Sequence, residues 1–415
     1  MRIAQNPEDN GTVTQVLYNP FDPAEIADPY PTYAALHRSS PVLEQPLFNG
    51  FVFVRYHDVK AILHDPRFSA DRGRSTLLGN LAASGQLPLD PNQNLFGRTL
   101  LGLDPPDHTR LRRLVSKAFT PSRIASLEPR VAALTDELLD ALGEDPVELM
   151  ESFAYPLPVL VISELLGLPA ADRDRLKSWS DGVALLLDPF PPPAAVARFE
   201  ESVAGLDGYL RSHFEERRRR PTTDLIGALV AARDGDDALS DDELFSMVVL
   251  LLAAGHETTT NLIGNAVVAL TRHPEQRPHL DGGKQAVANA VEELLRFDPP
   301  VQRTSRVATV PVEVGGVKLH PGDLALLVLA GANRDPAIFP SPDRLDLTRR
   351  NARDHLSFGH GIHHCLGAPL ARLEGRVGLT ALYRRFPHLV ADLDQVTWRP
   401  SIVLRGPDRL PVDLG

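Results

Sequence analysis

The sequence holds one cysteine among its 415 residues, no excess of positive charge and no long apolar run. A lone cysteine excludes an intramolecular disulfide and fits a reducing compartment. The most apolar segment, Met247 to Ala254, falls well short of the roughly 18 residues that a membrane-spanning helix needs. The opening residues, MRIAQNPEDNGTVTQ, contain no apolar stretch, so neither a secretory signal nor a membrane anchor is expected, and the cytoplasm is the expected location. Lys and Arg total 43 against 54 Asp and Glu, a net charge of −11, which argues against a nucleic-acid partner. The basic run Arg217–Arg220 follows Glu215 and Glu216 and precedes Pro221, and so reads as a solvated helix end. No repeat or low-complexity tract divides the chain, and the 37 prolines are spread over loop-like stretches such as 188–193 and 335–342. One folding unit over 1–415 is expected, large enough to enclose a sizeable ligand.

What is present is mostly helical periodicity. Ser240-Asp241-Asp242-Glu243 has the form of a capping box, and the apolar pattern behind it predicts a long helix over 240–271, stopped by Pro274. Near its middle this helix is apolar on every side, which predicts burial at the centre of the protein. Further helices are expected at 108–119, 123–142, 157–167, 197–217, 285–297 and 367–386. Strand patterns are fewer: 51–54, 401–413, and 307–329, where Gly315-Gly316 marks a hairpin. The expected class is mainly α with small β-sheets. Residues 71–99 and 182–196 read as loops, and long loops in a compact domain tend to bind or cover ligands.

The stretch Phe358-Gly359-His360-Gly361-Ile362-His363-His364-Cys365-Leu366-Gly367 carries the chemistry. A cysteine alone is most often a small buried hydrophobe. Here it sits in a glycine loop just before a helical pattern, where the helix N-terminus favours thiolate over thiol. A thiolate so placed is a good axial ligand for haem iron. The neighbouring histidines lack the paired spacing of a zinc site, and no C-x-x-C-H is present for covalent haem attachment. The loop resembles that of the cytochrome P-450 superfamily, F-G-x-G-x-H-x-C-x-G, at Phe358, Gly359, Gly361, His363, Cys365 and Gly367. A chance match in a chain of this length is on the order of 10⁻⁶.

The resemblance continues along the chain. Ala254-Gly255-His256-Glu257-Thr258-Thr259 matches the family's A-G-x-[DE]-T-[TS]. Read alone, Thr258 would bond back to its own helix and Glu257 would be solvated. The resemblance implies instead that Gly255 makes room for dioxygen and that Glu257 and Thr258 relay protons to it. Glu293 and Arg296 share a helix face and alone would form a surface salt bridge. By resemblance they are the family's E-x-x-R, a buried structural pair closed by a later arginine, expected to be Arg344. His108 and Arg112 lie four apart, a solvated basic face on the bland reading. The resemblance makes them, with Arg306 and His363, the partners of the haem propionates. Asp28-Pro29-Tyr30-Pro31 and Ala368-Pro369-Leu370-Ala371-Arg372 look like the soluble bacterial branch.

The family therefore implies a single-domain cytochrome P-450 fold with the 240–271 helix over the haem. It implies a monooxygenase that carries haem b (iron protoporphyrin IX) on the thiolate of Cys365 and uses O2 as co-substrate. Electrons are expected from NAD(P)H through an external ferredoxin and ferredoxin reductase, docking near Arg110, Arg113, Lys117, Arg372 and Arg376. A monomer is expected. By resemblance the substrate pocket is lined by Leu250, Ala254, Val301, Thr304 and Ile402, which are mostly apolar. That implies a bulky apolar substrate, with a polyketide or macrolide as the analogy. Two other readings stand beside it: a peroxide-driven or coupling haem-thiolate enzyme, and a haem-binding carrier or sensor without catalysis.

Overall fold

The computed structural model describes residues 18–46, 49–84, 95–143, 146–188 and 191–415, without the side chains of Ala82 and Phe96. The expected loop at 71–99 therefore lies in part outside the described residues, as does the part of 182–196 at 189–190. What is described of them is more ordered than expected, with a helix at Thr76–Ala83 and the helix Arg173–Ala184 running into the second segment.

The long central helix spans Asp241–Arg272. Its capping box is formed: the Ser240 N–H donates to Glu243 Oε2 at 2.8 Å, and the Glu243 N–H donates to Ser240 Oγ at 3.2 Å. Pro274 follows the C-cap residue His273, and a ring without an N–H cannot continue the ladder. From Leu244 to Leu270 every residue is buried except Leu251, Ala254, Gly255 and Thr258. The helix packs against helices Pro156–Leu166, Arg173–Ala184 and Ala368–Arg385. Leu157, Ile162, Val248, Ile263 and Leu379 belong to the resulting core, and each such buried side chain contributes roughly 1.5–3 kcal/mol.

The expected 123–142 helix is two, Pro121–Ser126 and Glu128–Asp140. Pro129 has no N–H to donate and sits in the first turn of the second helix, where none is needed. A five-stranded sheet runs in the order Val42–Gln45, Gly50–Phe53, Leu324–Leu327, Thr304–Ala308, Phe68–Ser69. Its pairings are antiparallel except that of Leu324–Leu327 with Gly50–Phe53. A Cβ at Gly50 would collide with the Leu324 carbonyl, so this close strand approach requires glycine. The expected hairpin is present as Val312–Val314 and Val317–Leu319, with Gly315 and Gly316 at φ 63° and 84°. At the C-terminus only Pro407–Arg409 and Pro411–Asp413 are strands. The 401–404 turn is instead held by the Asp188 carboxylate, which accepts from Ile402 N at 3.0 Å and Val403 N at 3.1 Å.

Candidate active site

The loop before helix Ala368–Arg385 is shaped by its glycines. Gly359 and Gly361 have φ of 71° and 72°, a region that side chains rarely adopt. The Cys365 N–H donates to the Phe358 carbonyl at 2.9 Å and closes the loop. Burial pushes the Cys365 thiol up from its ordinary value, while the N–H groups of Gly367 and Ala368 and the Arg112 and Arg372 cations oppose that rise. Yet Cys365 itself has open surface. A residue that is both accessible and surrounded by protein lies on the wall of an interior space.

Arg112 and Arg306 lie beside this wall with His108 and His363, and neither arginine has an ion-pair partner among the described residues. His108 is 1% exposed, and neither ring nitrogen has a hydrogen-bond partner among the described residues. Its ring lies 4.3 Å from that of His363, whose Nδ1 donates to the Leu100 carbonyl at 3.0 Å. Burial holds His108 below its ordinary value and His363 down to about 4. Arg306 is buried and donates to the carbonyl of its own neighbour Ser305 at 2.8 Å. Burial and the nearby Arg72 lower it to about 10. Burial also lowers Arg112, which the Cys365 sulfur partly offsets. Buried positive charge without a counter-charge is costly, so these arginines fit a ligand that carries carboxylates. The sequence reading did not include Arg72.

The central helix contributes a stripe. Leu251, Ala254, Gly255 and Thr258 follow the i, i+3, i+4, i+7 spacing of one helix face, and they are the partly exposed residues of the otherwise buried run. Thr258 Oγ1 donates to the Ala254 carbonyl at 2.8 Å, the helix back-bond that its residue type favours. A Cβ on Gly255 would stand 3.3 Å from the Ile162 side chain, so the glycine lets helix Pro156–Leu166 pack close. Glu257 is 1% exposed, and Arg399 Nη1 lies 2.5 Å from both of its oxygens. Burial would raise this carboxyl, but His256 and Arg399 outweigh it and hold it down to about 2. The expected acid and alcohol are therefore neighbours that face different partners.

A family model described as cytochrome P450 matches residues 173–280 and 286–409. The chain belongs to the cytochrome P450 family. It is 45% identical over 395 residues to a vitamin D(3) 25-hydroxylase of Pseudonocardia autotrophica, covering 94% of each chain. A 6-deoxyerythronolide B hydroxylase of Saccharopolyspora erythraea is 41% identical, over 93% of this chain and 96% of that one. A solved structure, the cytochrome P450 PksS of the bacillaene polyketide synthase of Bacillus subtilis, superimposes with a TM-score of 0.86 at 34% identity, covering 96% of this chain and 100% of that one. The chain is thus a cytochrome P450 monooxygenase with the fold of its family, and the family implies haem-thiolate chemistry and external redox partners.

In this P450 the E-x-x-R pair is closed differently from expectation. Glu293 and Arg296 are each 0% exposed and joined twice, Nε to Oε2 at 2.7 Å and Nη2 to Oε1 at 2.8 Å. The arginine that completes the network is Arg349, whose Nε lies 3.1 Å from both Glu293 oxygens. Arg344 contributes its backbone carbonyl, which accepts from Arg296 at 3.3 Å and Arg349 at 3.0 Å. The turns through 341–349 aim the later side chain inward, a geometry that spacing in sequence does not encode. A second knot joins Glu292 to His355 at 3.0 Å and to Arg372 at 2.7 Å. It ties helix Lys284–Phe297 to the helix that follows Cys365.

The expected pocket residues are distributed over three segments, the central helix, 301–304 and 401–404. Leu250 and Ile402 are buried, at 6% and 8% exposure, and Ala254 lies on the open stripe. Val301 bridges Leu404, and the Gln302 N–H donates to the Val403 carbonyl at 2.9 Å, which brings the 301–304 and 401–404 segments side by side. Thr304 opens its strand opposite Leu327. Leu251, which the sequence reading passed over, shares the open stripe with Ala254. The cations expected to greet a redox partner are already paired inside the molecule: Arg110 with Glu243, Arg113 and Lys117 with Asp234, Arg372 with Glu292 and Arg376 with Glu128. That face is accordingly less positive than its sequence implied. Among the described residues no helix is long and apolar enough to cross a membrane.

Proposed function

We propose that this P450 inserts one atom of dioxygen into a C–H bond (hydroxylation) or a C=C bond (epoxidation) of a bulky, mostly apolar secondary metabolite, of the polyketide or macrolide type. The observation that carries the proposal is the open stripe on the central helix: Leu251, Ala254 and Gly255 offer a substrate only apolar surface, and Thr258 adds a single hydroxyl. The names of the relatives support the class, since they act on vitamin D(3) and 6-deoxyerythronolide B, and one serves a polyketide synthase.

Cys365 would hold the iron of haem b through its thiolate, and His108, Arg112, Arg306 and His363 would take the propionates by charge-assisted hydrogen bonds. Bound there, the haem supplies the activation of dioxygen. The chain's own residues bind and orient. The loop from Phe358 to Gly367 would hold the sulfur still, and the Glu293–Arg296–Arg349 network joins helix Lys284–Phe297 to the 340–349 segment. Thr258 presents its hydroxyl at the open face, positioned by the Ala254 carbonyl, and can pass a proton from Oγ1. Glu257 would refill it after taking up a proton and turning from Arg399, which grips both of its oxygens. NAD(P)H would supply electrons through a ferredoxin and its reductase, with the enzyme acting in the cytoplasm as a monomer built from one unit over 1–415.

The test is the optical spectrum of the purified protein, reduced and exposed to carbon monoxide. A strongly red-shifted Soret band supports thiolate ligation, and a histidine-type band overturns it. Substrates can then be screened by their spin-state shift, starting with vitamin D(3) and 6-deoxyerythronolide B. Turnover with NADH and a ferredoxin pair, against turnover with peroxide alone, separates the monooxygenase from a peroxide-driven or coupling enzyme. No turnover with either would point to a carrier or sensor.

A further inference from the structure

His256 is a buried polar group ringed by ionisable side chains. It lies on the central helix between Gly255 and Glu257 and is 1% exposed. Its Nδ1 lies 2.9 Å from both the Leu252 carbonyl and the Ser180 hydroxyl. A carbonyl only accepts, so Nδ1 carries a hydrogen. The other nitrogen, Nε2, has no hydrogen-bond partner among the described residues. It stands 3.5 Å from Asp181 Oδ1 on helix Arg173–Ala184 and 3.7 Å from Glu257 Oε1. The two carboxylates differ in access: the Asp181 side chain is 29% exposed and that of Glu257 is 1% exposed. One ring nitrogen therefore faces solvent-side and interior carboxylates together.

A metal ion is the rival occupant, because Asp181, His256 and Glu257 each offer a ligand atom within 4.8 Å of the others. The remaining neighbours oppose it. Arg399 grips both Glu257 oxygens, and Lys177 Nζ lies 3.3 Å from Asp181 Oδ2. Tyr155 donates to Asp181 at 3.2 Å and stacks edge-on against the His256 ring. The carboxylates already have cations, and a divalent ion would meet two positive charges at contact range.

We propose that His256 is a proton-relay residue that carries protons from solvent at Asp181 to Glu257 through its Nε2 atom. The inference rests on the monooxygenase reading, in which Glu257 and Thr258 deliver protons to the open face. In the step itself, the Nε2–H bond of the imidazolium breaks and an O–H bond forms on Glu257. The ring stays behind as the neutral Nδ1–H form, which the Leu252 carbonyl already stabilises. A proton from solvent water at Asp181 then restores the Nε2–H bond. One proton enters and one leaves, no electrons move, and the ring need not turn, because donor and acceptor face the same atom. The groups that set its charge are Asp181 and Lys177 on helix Arg173–Ala184, Tyr155 on the segment before it, Glu257 on its own helix and Arg399 from the C-terminal segment.

The test uses the haem-loaded full chain as His256→Gln and Asp181→Asn, with Thr258→Ala for comparison. The carbon-monoxide spectrum checks that each variant keeps its fold and thiolate. Oxygen uptake and peroxide release per NADH are then measured with a plant-type ferredoxin and its reductase, without added substrate, across pH and in D2O. Both relay variants are expected to form water about tenfold more slowly, release a larger fraction of peroxide and show a larger solvent isotope effect. The second readout is the ¹⁵N spectrum of histidine-labelled protein in its diamagnetic carbon-monoxide form. The signal lost in His256→Gln should be doubly protonated in wild type at neutral pH and deprotonate at lower pH in Asp181→Asn. Wild-type water formation, isotope effect and imidazole titration in the relay variants overturn the proposal. If Thr258→Ala alone raises peroxide, the relay fails and the acid–alcohol reading stands; if no variant changes it, both fail.

Discussion

Replacing Arg349 with alanine tests how the buried network around Glu293 and Arg296 is built. Glu293 is 0% exposed and accepts from Arg296 at 2.7 and 2.8 Å, from the Asp346 N–H at 3.0 Å and from Arg349 at 3.1 Å. Arg349 also donates to the carbonyls of Pro340, Ser341 and Arg344 at 2.8, 3.2 and 3.0 Å. Its removal leaves one buried carboxylate short of a cation and three carbonyls short of a donor. Breaking a buried pair from one side costs about 3–5 kcal/mol. At about 2.1 cal/mol/K of unfolding entropy per residue, the 415-residue chain would lose about 3–6 °C of Tm. Arg344→Ala keeps the backbone carbonyl that does the accepting, so it should stay within about 0.5 kcal/mol of wild type, as surface substitutions do. The assay is thermal unfolding by circular dichroism, paired with the fraction of haem retained in the carbon-monoxide spectrum. Equal losses in the two variants, or a larger loss in Arg344→Ala, would refute the assignment of Arg349.

Cys365→Ser should keep the helical circular dichroism but lose the red-shifted carbon-monoxide band and all activity, and an unchanged spectrum would remove Cys365 as ligand. Thr258→Ala should raise peroxide release at the expense of product, and full coupling in that variant would take Thr258 out of proton delivery. His256 is held up to about 9 from an ordinary 6.5, because Asp181 and Glu257 together outweigh a burial that would lower it. A raised value contributes stability that is complete below pH 6.5 and lost as pH rises through about 9. The Tm of the wild type should therefore fall across that window, and a fall of the same size in His256→Gln would exclude this histidine as its source.

The local features were legible in the sequence. The capping box at Ser240 and the apolar run behind it placed the central helix to within a residue of Asp241–Arg272, because caps and 3.6-residue periodicity act among neighbours in the chain. The glycines around Cys365 likewise announced a tight loop at a helix start, since a positive φ is a property of the single residue. That His108 and His363 serve one site was implied by resemblance alone, as was the burial of Glu293 with Arg296, and the ring contact of the two histidines appears only in the fold. Other features were invisible for a common reason. Arg399 lies 142 positions from Glu257, Arg349 lies 56 from Glu293, and Asp181 reaches His256 only because two helices pack. Leu251 rather than Leu250 lies open because the angle at which neighbouring helices cross decides which side of an all-apolar helix they leave uncovered. Sequence determined where the central helix forms and where Cys365 stands in its loop. The tertiary structure decided which charge meets which, because partners for buried charges are chosen by distance in space after the helices have packed.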